Sequence, residues 1–206
     1  MQRRLLLALA TTCAFITAPA QAQSAVEVAG VRFPATATVA GSPLQLNGAG
    51  LRTRVVVRVY AAGLYLAAKT NSPEAVLAAP GAKRLHIVML RDIDGNELGK
   101  LFTRGMQDNS SREDFGKSIP GTLRMAELFS AKKRLAKDEH FSVEWLPGQG
   151  TQILLNGKAQ GEPIKEPEFF NALLRIWLGP NPADAALKDA LLGLPPRPVN
   201  PHPQTQ

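Results

Sequence analysis

Three arginines and two tyrosines crowd into the stretch Gly48–Leu66, GAGLRTRVVVRVYAAGLYL. A guanidinium donates two parallel hydrogen bonds to one carboxylate, and a phenol can add a third. Burying such a cation is costly unless something pairs with it. Arg52, Arg54 and Arg58 therefore face solvent, a structural carboxylate or an acidic ligand. From Val55 onward the Val, Ala, Leu and Tyr content is that of a strand covered on at least one face. The stretch as a whole predicts one long strand running into Tyr65-Leu66. Along a straight strand Arg52 and Tyr60 would stand roughly 27 Å apart, too far to share one group. Either the chain bends near Leu51 to Thr53, or the two side chains serve different parts of a cleft. Arg58 and Tyr60, two residues apart on one face, form a second candidate pair. The arginines also share one parity, so all three could line a solvent-exposed face opposite Val55, Val57 and Val59.

Other chemistries find little support. The three histidines, at 86, 140 and 202, show no metal-ligand spacing. His86 lies in an apolar strand and reads as a satisfied core residue. Ser110, Ser111 and Ser118 lack a G-x-S-x-G context, and no glycine-rich phosphate loop precedes a helix. Arg91–Glu97, RDIDGNE, has a faint likeness to a calcium loop but lacks the remaining ligand spacing. It reads as a turn that caps the next helix. No metal or cofactor is implied.

The elements that must position these residues follow from turn signals and periodicity. Short β-prone pieces alternate with turn residues from Val26 to Gly50. Ser72 as cap, Pro73 in the first turn and Gly81 as stop outline a short helix. KRLHIVMLR, from Lys83, is a strand. GNELGKLFTRGMQDNS, from Gly95, carries Leu98, Leu101, Phe102 and Met106 at helical spacing, and PGTLRMAELFSAKKRL, from Pro120, repeats the pattern with Leu123, Met125, Leu128 and Phe129. His140–Gly161 contains two strands around Pro147-Gly148-Gln149-Gly150 and an Asn156-Gly157 turn, a hairpin signature. Pro167 to Gly179 is a strongly apolar helix, and a short helix follows through ADAALKDALLG. Strands, then helices, then a hairpin, then helices indicate an α+β domain with helices packed on an antiparallel sheet.

The N-terminal 22 residues read as a secretory signal peptide. Arg3 and Arg4 precede an apolar run from Leu5 to Ile16, and Ala20-Gln21-Ala22 supplies the cleavage site. The run is too short to span a bilayer as a helix. Cleavage after Ala22 would place the protein in the periplasm of a Gram-negative cell. It would also remove Cys13, the one cysteine of the chain, and with it disulfide and thiolate chemistry. The formal charge of +7 falls to +5 without Arg3 and Arg4, leaving 22 basic against 17 acidic residues. The one dense basic run, Lys132-Lys133-Arg134 with Lys137, closes a helix and suits its dipole. Nucleic acid is not an expected partner, given few aromatics and no recognition motif. Residues 23–193 suffice for one domain with a sizeable core. Residues 194–206, LPPRPVNPHPQTQ, form a proline-rich tail expected to be disordered.

GVRFPATATVAGSPLQLNGAGLR, VYAAGLYL and LLRIWLGPNPADAALKDALLG resemble the chalcone isomerase-like family, and more closely its exported bacterial branch. The resemblance runs from about Val28 to Gly193. It implies an open-faced β-sandwich, a large antiparallel sheet with a helical layer and a ligand cleft between them. Through it the active-site arginine of the G-A-G-x-R motif falls on Arg52. A strand threonine of the plant enzymes falls on Tyr60, and their catalytic tyrosine on Phe102, which has no hydroxyl. A polar asparagine is kept as Asn109. The threonine and hydrophobic pair of the last long helix fall on Ile176 and Trp177, so a second hydroxyl is lost.

Ring closure by isomerase chemistry needs hydroxyls aimed at the carbonyl, and losing one such donor costs about two to three orders of magnitude in rate. Plant fatty-acid-binding members of the same fold instead present an arginine and a strand tyrosine to a carboxylate, positions matched by Arg52 and Tyr60. Phe102, Met106, Leu173, Leu174 and Trp177 would wall the tail. The expectation is thus an exported, non-catalytic binder of a fatty acid or similar amphipathic carboxylate. An isomerase or intramolecular lyase acting on a phenolic or enone compound through Arg52 is the second reading. An envelope interaction module with a vestigial cleft is the third. Arg54 and Arg58 are expected in solvent, and the oligomeric state stays open.

Overall fold

The computed structural model describes residues 25–196. The signal-peptide segment, and all of the tail beyond Pro196, lie outside the described residues.

Two short strands, β1 (Val26–Val28) and β2 (Val31–Phe33), form a hairpin of their own. β3 (Thr36–Val39), β4 (Ser42–Arg54) and β5 (Val57–Leu66) then run as a meander. After α1 (Pro73–Ala78) and β6 (Lys83–Met89), the two-residue β7 (Ile93–Asp94) leads into α2 (Gly95–Asp108). α3 (Arg112–Lys132) and β8 (Arg134–Leu135) follow, and β8 pairs back with β7. β9 (His140–Leu146), β10 (Gly150–Leu155) and β11 (Lys158–Ala159) complete the strands. α4 (Pro167–Leu178) and α5 (Ala185–Leu191) close the fold. The main sheet is fully antiparallel, in the order β11-β10-β9-β6-β5-β4-β3.

Strand alternation sends Tyr60, Ala62, Leu64 and Leu66 of β5 and Leu85, Ile87 and Met89 of β6 toward the helices. There they meet Leu98, Phe102 and Met106 of α2, Met125 and Phe129 of α3 and the apolar face of α4. A smaller cluster on the opposite face joins Phe33, Leu46, Ala61 and Tyr65. Phe33 lies so close to Gly63 that a Cβ there would sit 2.5 Å from its ring.

Two expectations about elements change. The arginine-bearing stretch is a hairpin, not one strand: β4 ends at Arg54, β5 starts at Val57, and Val55-Val56 turn the chain back. The second long helix begins at Arg112, with Pro120 inside it, not first. Ser111 Oγ accepts from the Asp114 amide at 3.0 Å, a start signal nine residues ahead of the proline. Its apolar stripe is also narrower than expected, with Met125 and Phe129 buried and Leu123 exposed.

His86 does prove a satisfied residue, on the face of the sheet away from the helices. Its Nδ1 lies 2.8 Å from Ser142 Oγ, and its ring meets Phe33 and His140. Burial, with the charge of nearby His140 and Arg84 adding to it, pushes its pKa down from 6.5 to about 4. The folded state therefore prefers neutral His86, and its contribution to stability is complete above pH 6.5 and lost as pH falls toward 4. Unfolding free energy should drop by about 3 kcal/mol across that window. Urea titrations at several pH values check this: in His86→Gln the slope between pH 6.5 and 4 should flatten, and an unchanged slope would refute the assignment.

Candidate functional site

The turn at Val55-Val56 answers the distance problem posed by a straight strand. Arg52 and Tyr60 are direct partners across the β4–β5 ladder, and the Arg52 guanidinium carbon lies 5.9 Å from the Tyr60 ring centroid. The register shifts between Arg52 and Thr53, so a bend also falls within the Leu51–Thr53 segment.

Both residues line a cavity of about 400 Å³ between this hairpin, the length of α2 and the end of α4. The cap residue and one face of α2 supply Asp94, Glu97, Leu98, Leu101, Phe102, Gly105 and Asp108, the i, i+3, i+4 and i+7 spacing of a helix stripe. Ile176 and Ala183 come from the α4–α5 side, and Val59 and Ile93 from strands. Tyr60 carries the one hydroxyl among the lining residues.

The polar end is held from outside the cavity. Trp177 Nε1 donates to Tyr60 Oη at 2.7 Å, which fixes the phenol while leaving its own proton for another acceptor. Burial pushes the Tyr60 pKa up, against the lowering effects of the Arg52 charge and the Trp177 bond, so the phenol stays a donor. Arg52 Nη1 donates to the Ala183 carbonyl at 2.8 Å, and the Thr53 amide to Asp184 Oδ2 at 3.0 Å. The other oxygen of Asp184 caps α5 through the Leu187 amide at 3.0 Å. Among the described residues no carboxylate lies within ion-pair distance of Arg52. A half-buried guanidinium with most of its donors unspent is a ready anion site.

The rim is mixed in charge. Arg54, Arg91 and Arg104 face Asp92, Asp94, Glu97 and Asp108. Much of the negative charge is already engaged: Asp92 pairs with Arg134 at 3.1 Å, Asp108 with Arg104 at 3.5 Å, and Asp94 caps α2 by accepting from the Glu97 amide at 2.9 Å. Arg54 and Arg91 have no ion-pair partner among the described residues.

Of the expected site residues, the structure brings Arg52, Tyr60, Phe102 and Ile176 together on the cavity wall. Met106, Asn109 and Trp177 stand behind it. Met106 is fully buried against Thr122. Asn109 ends α2, and its amide is spent on Gly105 O and Asn181 O, both at 2.9 Å, while its oxygen accepts from the Asn181 amide at 2.8 Å. It clamps α2 to the loop after α4 and offers a ligand nothing. Leu173 and Leu174 are likewise buried core residues outside the cavity. Sequence reasoning missed the α2 face and the Asp92–Glu97 rim. RDIDGNE does cap the helix as expected, and the same cap places its first turn over the cavity. Among the described residues no cluster fit to hold a metal ion occurs.

The architecture is thus a curled antiparallel sheet with helices on one face and a cavity between them. The sequence profile of the chalcone isomerase-like family matches residues 25–193, and the chain belongs to that family. A solved structure similar to it is a fatty-acid-binding protein of Arabidopsis thaliana. The two share 16% identity and a TM-score of 0.65, over 82% of this chain and 96% of that one. At that identity the likeness is one of fold. No curated protein matches the chain by sequence.

Proposed function

We propose that the protein binds a fatty acid or similar amphipathic carboxylate without transforming it. The pairing of Arg52 with Tyr60 at the polar end of an apolar cavity carries this reading. The guanidinium carbon lies 5.9 Å from the Tyr60 ring centroid, near enough for a single carboxylate to accept from both side chains. Val59, Leu98, Leu101, Phe102 and Ile176 give the tail an apolar wall, and the volume falls in the range of small-ligand sites, about 300–1,000 Å³. The name of the Arabidopsis neighbour supports the same ligand class. Phe102 and Ile176 on the wall support a binder over an isomerase, since neither can donate to a developing oxyanion.

A titration of dodecanoate against dodecanol tests this. The acid should bind at least tenfold more tightly, because only it engages both donors with charge. Equal affinities would overturn the reading. We further propose that the protein acts in the periplasm, on the pattern of its first 22 residues. A secreted chain beginning at Gln23 is the expected result, and an uncleaved N-terminus would refute it.

A further inference from the structure

The turn between β4 and β5 is chemically out of place. Val55 has φ +58°, the left-handed region, where a β-branched residue is a genuine outlier. A two-residue hairpin turn with positive φ at its first position favours glycine there. Strain of this kind persists where the surroundings enforce it and points toward a use. Val55 and Val56 are 92% and 85% exposed, and Val57 beside them is 41% exposed. An apolar knuckle thus projects into solvent at the end of the hairpin that carries Arg52 and Tyr60.

Arginines stand next to it. Arg54 and Arg58 flank the knuckle and both are exposed. Arg91 follows Leu90, whose amide donates to Val59 O at 3.0 Å, which places a third exposed arginine beside the hairpin. None of the three has an ion-pair partner among the described residues. Leu101, also 41% exposed, continues the apolar surface on the cavity rim.

We propose that this tip docks the protein on an anionic lipid surface, with Val55 and Val56 entering the interfacial layer and Arg54, Arg58 and Arg91 held by headgroup phosphates. Charge complementarity selects this occupant: exposed valines beside three exposed arginines without ion-pair partners among the described residues match a negatively charged membrane surface. Docked this way, Arg54 and Leu101 of the cavity wall lie close to the lipid. The proposal does not depend on what the cavity holds.

Co-sedimentation with phosphatidylglycerol vesicles, beside phosphatidylcholine vesicles, tests it. A chain starting at Gln23 keeps every described element and removes the N-terminal apolar run. It should sediment with the anionic vesicles and not with the neutral ones, and less so as salt rises. Arg54→Gln with Arg58→Gln should weaken binding about fivefold per arginine. Val55→Asn with Val56→Ser should weaken it about tenfold, while the melting temperature holds or rises because asparagine tolerates the left-handed conformation. That pairing of lost binding with retained stability excludes misfolding as the cause. Equal sedimentation of parent and valine variant would overturn the proposal. Equal binding to neutral and anionic vesicles would do the same. No vesicle binding by the parent would overturn it in favour of a protein partner on the same tip. None of these readouts uses dodecanoate, so the two proposals fail separately.

Discussion

Arg52→Ala should lose about hundredfold in affinity for dodecanoate, the equivalent of about 2.8 kcal/mol. Its affinity for dodecanol should change far less. The reasoning rests on what the guanidinium already does. One of its N–H groups is engaged with the Ala183 carbonyl, which holds the fork in place beside Tyr60. Removing it leaves a bound carboxylate half-desolvated with only the phenol as partner, and that desolvation is no longer offset. Arg52→Lys should recover part of the loss, since an ammonium keeps the charge but cannot present two parallel donors. Tyr60→Phe should cost about tenfold in affinity. It should also cost about 1–3 kcal/mol in stability, because it strands the buried Trp177 indole N–H. Isothermal titration of the four proteins with both ligands reads these effects. If Arg52→Ala binds dodecanoate as the parent does, the carboxylate does not sit at this hairpin.

Gly48→Ala should lower stability by about 3 kcal/mol or more, a fall of about 6–12 °C in melting temperature for a domain of this size. A Cβ at this position would drive into the Ala190 carbonyl oxygen and lie 2.9 Å from Leu191 O and 3.0 Å from Gly193 N. These are backbone atoms of and just after α5, which cannot swing aside as the end of a flexible side chain can. At Gly50 a Cβ would meet the Ala190 side chain at 2.6 Å and Leu187 at 3.0 Å. The G-A-G of the family motif is therefore a seat for α5. That seat has a chemical consequence, because α5 carries Asp184 at its start and Ala183 just before it. Those residues hold the Thr53 amide and the Arg52 guanidinium. Displacing α5 should weaken dodecanoate binding along with stability. Gly116→Ala is the control: nothing lies within 4 Å of a Cβ there, and alanine in a helix interior should stabilise by up to about 1 kcal/mol. Thermal melts of both variants check the pair. A Gly48→Ala protein as stable as its parent would show that α5 does not bear on β4 as described.

Much of the architecture was legible in the residues themselves. Periodicity marked α2 and the second half of α3, since an apolar stripe of 3.6 spacing belongs to a helix on a sheet, and α4 was marked by its apolar run between Pro167 and Gly179. Ser72 and Pro73 announced α1, and Pro147–Gly150 announced the β9–β10 hairpin, because those residues restrict the backbone locally. Arg52 and Tyr60 stood out as an unusual pair in an apolar setting, and the family pattern reinforced both. What the sequence concealed was the fold-back between them. RVVVRV contains no glycine, asparagine, aspartate or proline, so nothing local signals a turn. The turn forms because the rest of β4 and β5 gains a ladder and a common core by pairing, and that outweighs strain at one valine. Tertiary structure also separated residues that line the cavity from those that support it. Phe102 and Met106 lie on α2 and Asn109 caps it, yet only Phe102 reaches the wall, because the other two are claimed by Thr122 and by the Asn181 loop. The sequence alone thus determined most of the elements and narrowed the candidate carboxylate donors to Tyr60 with Arg52 or Arg58. Only the packed sheet decided that Arg52 and Tyr60 meet, since partners eight residues apart are brought face to face by cross-strand hydrogen bonding that no local preference encodes.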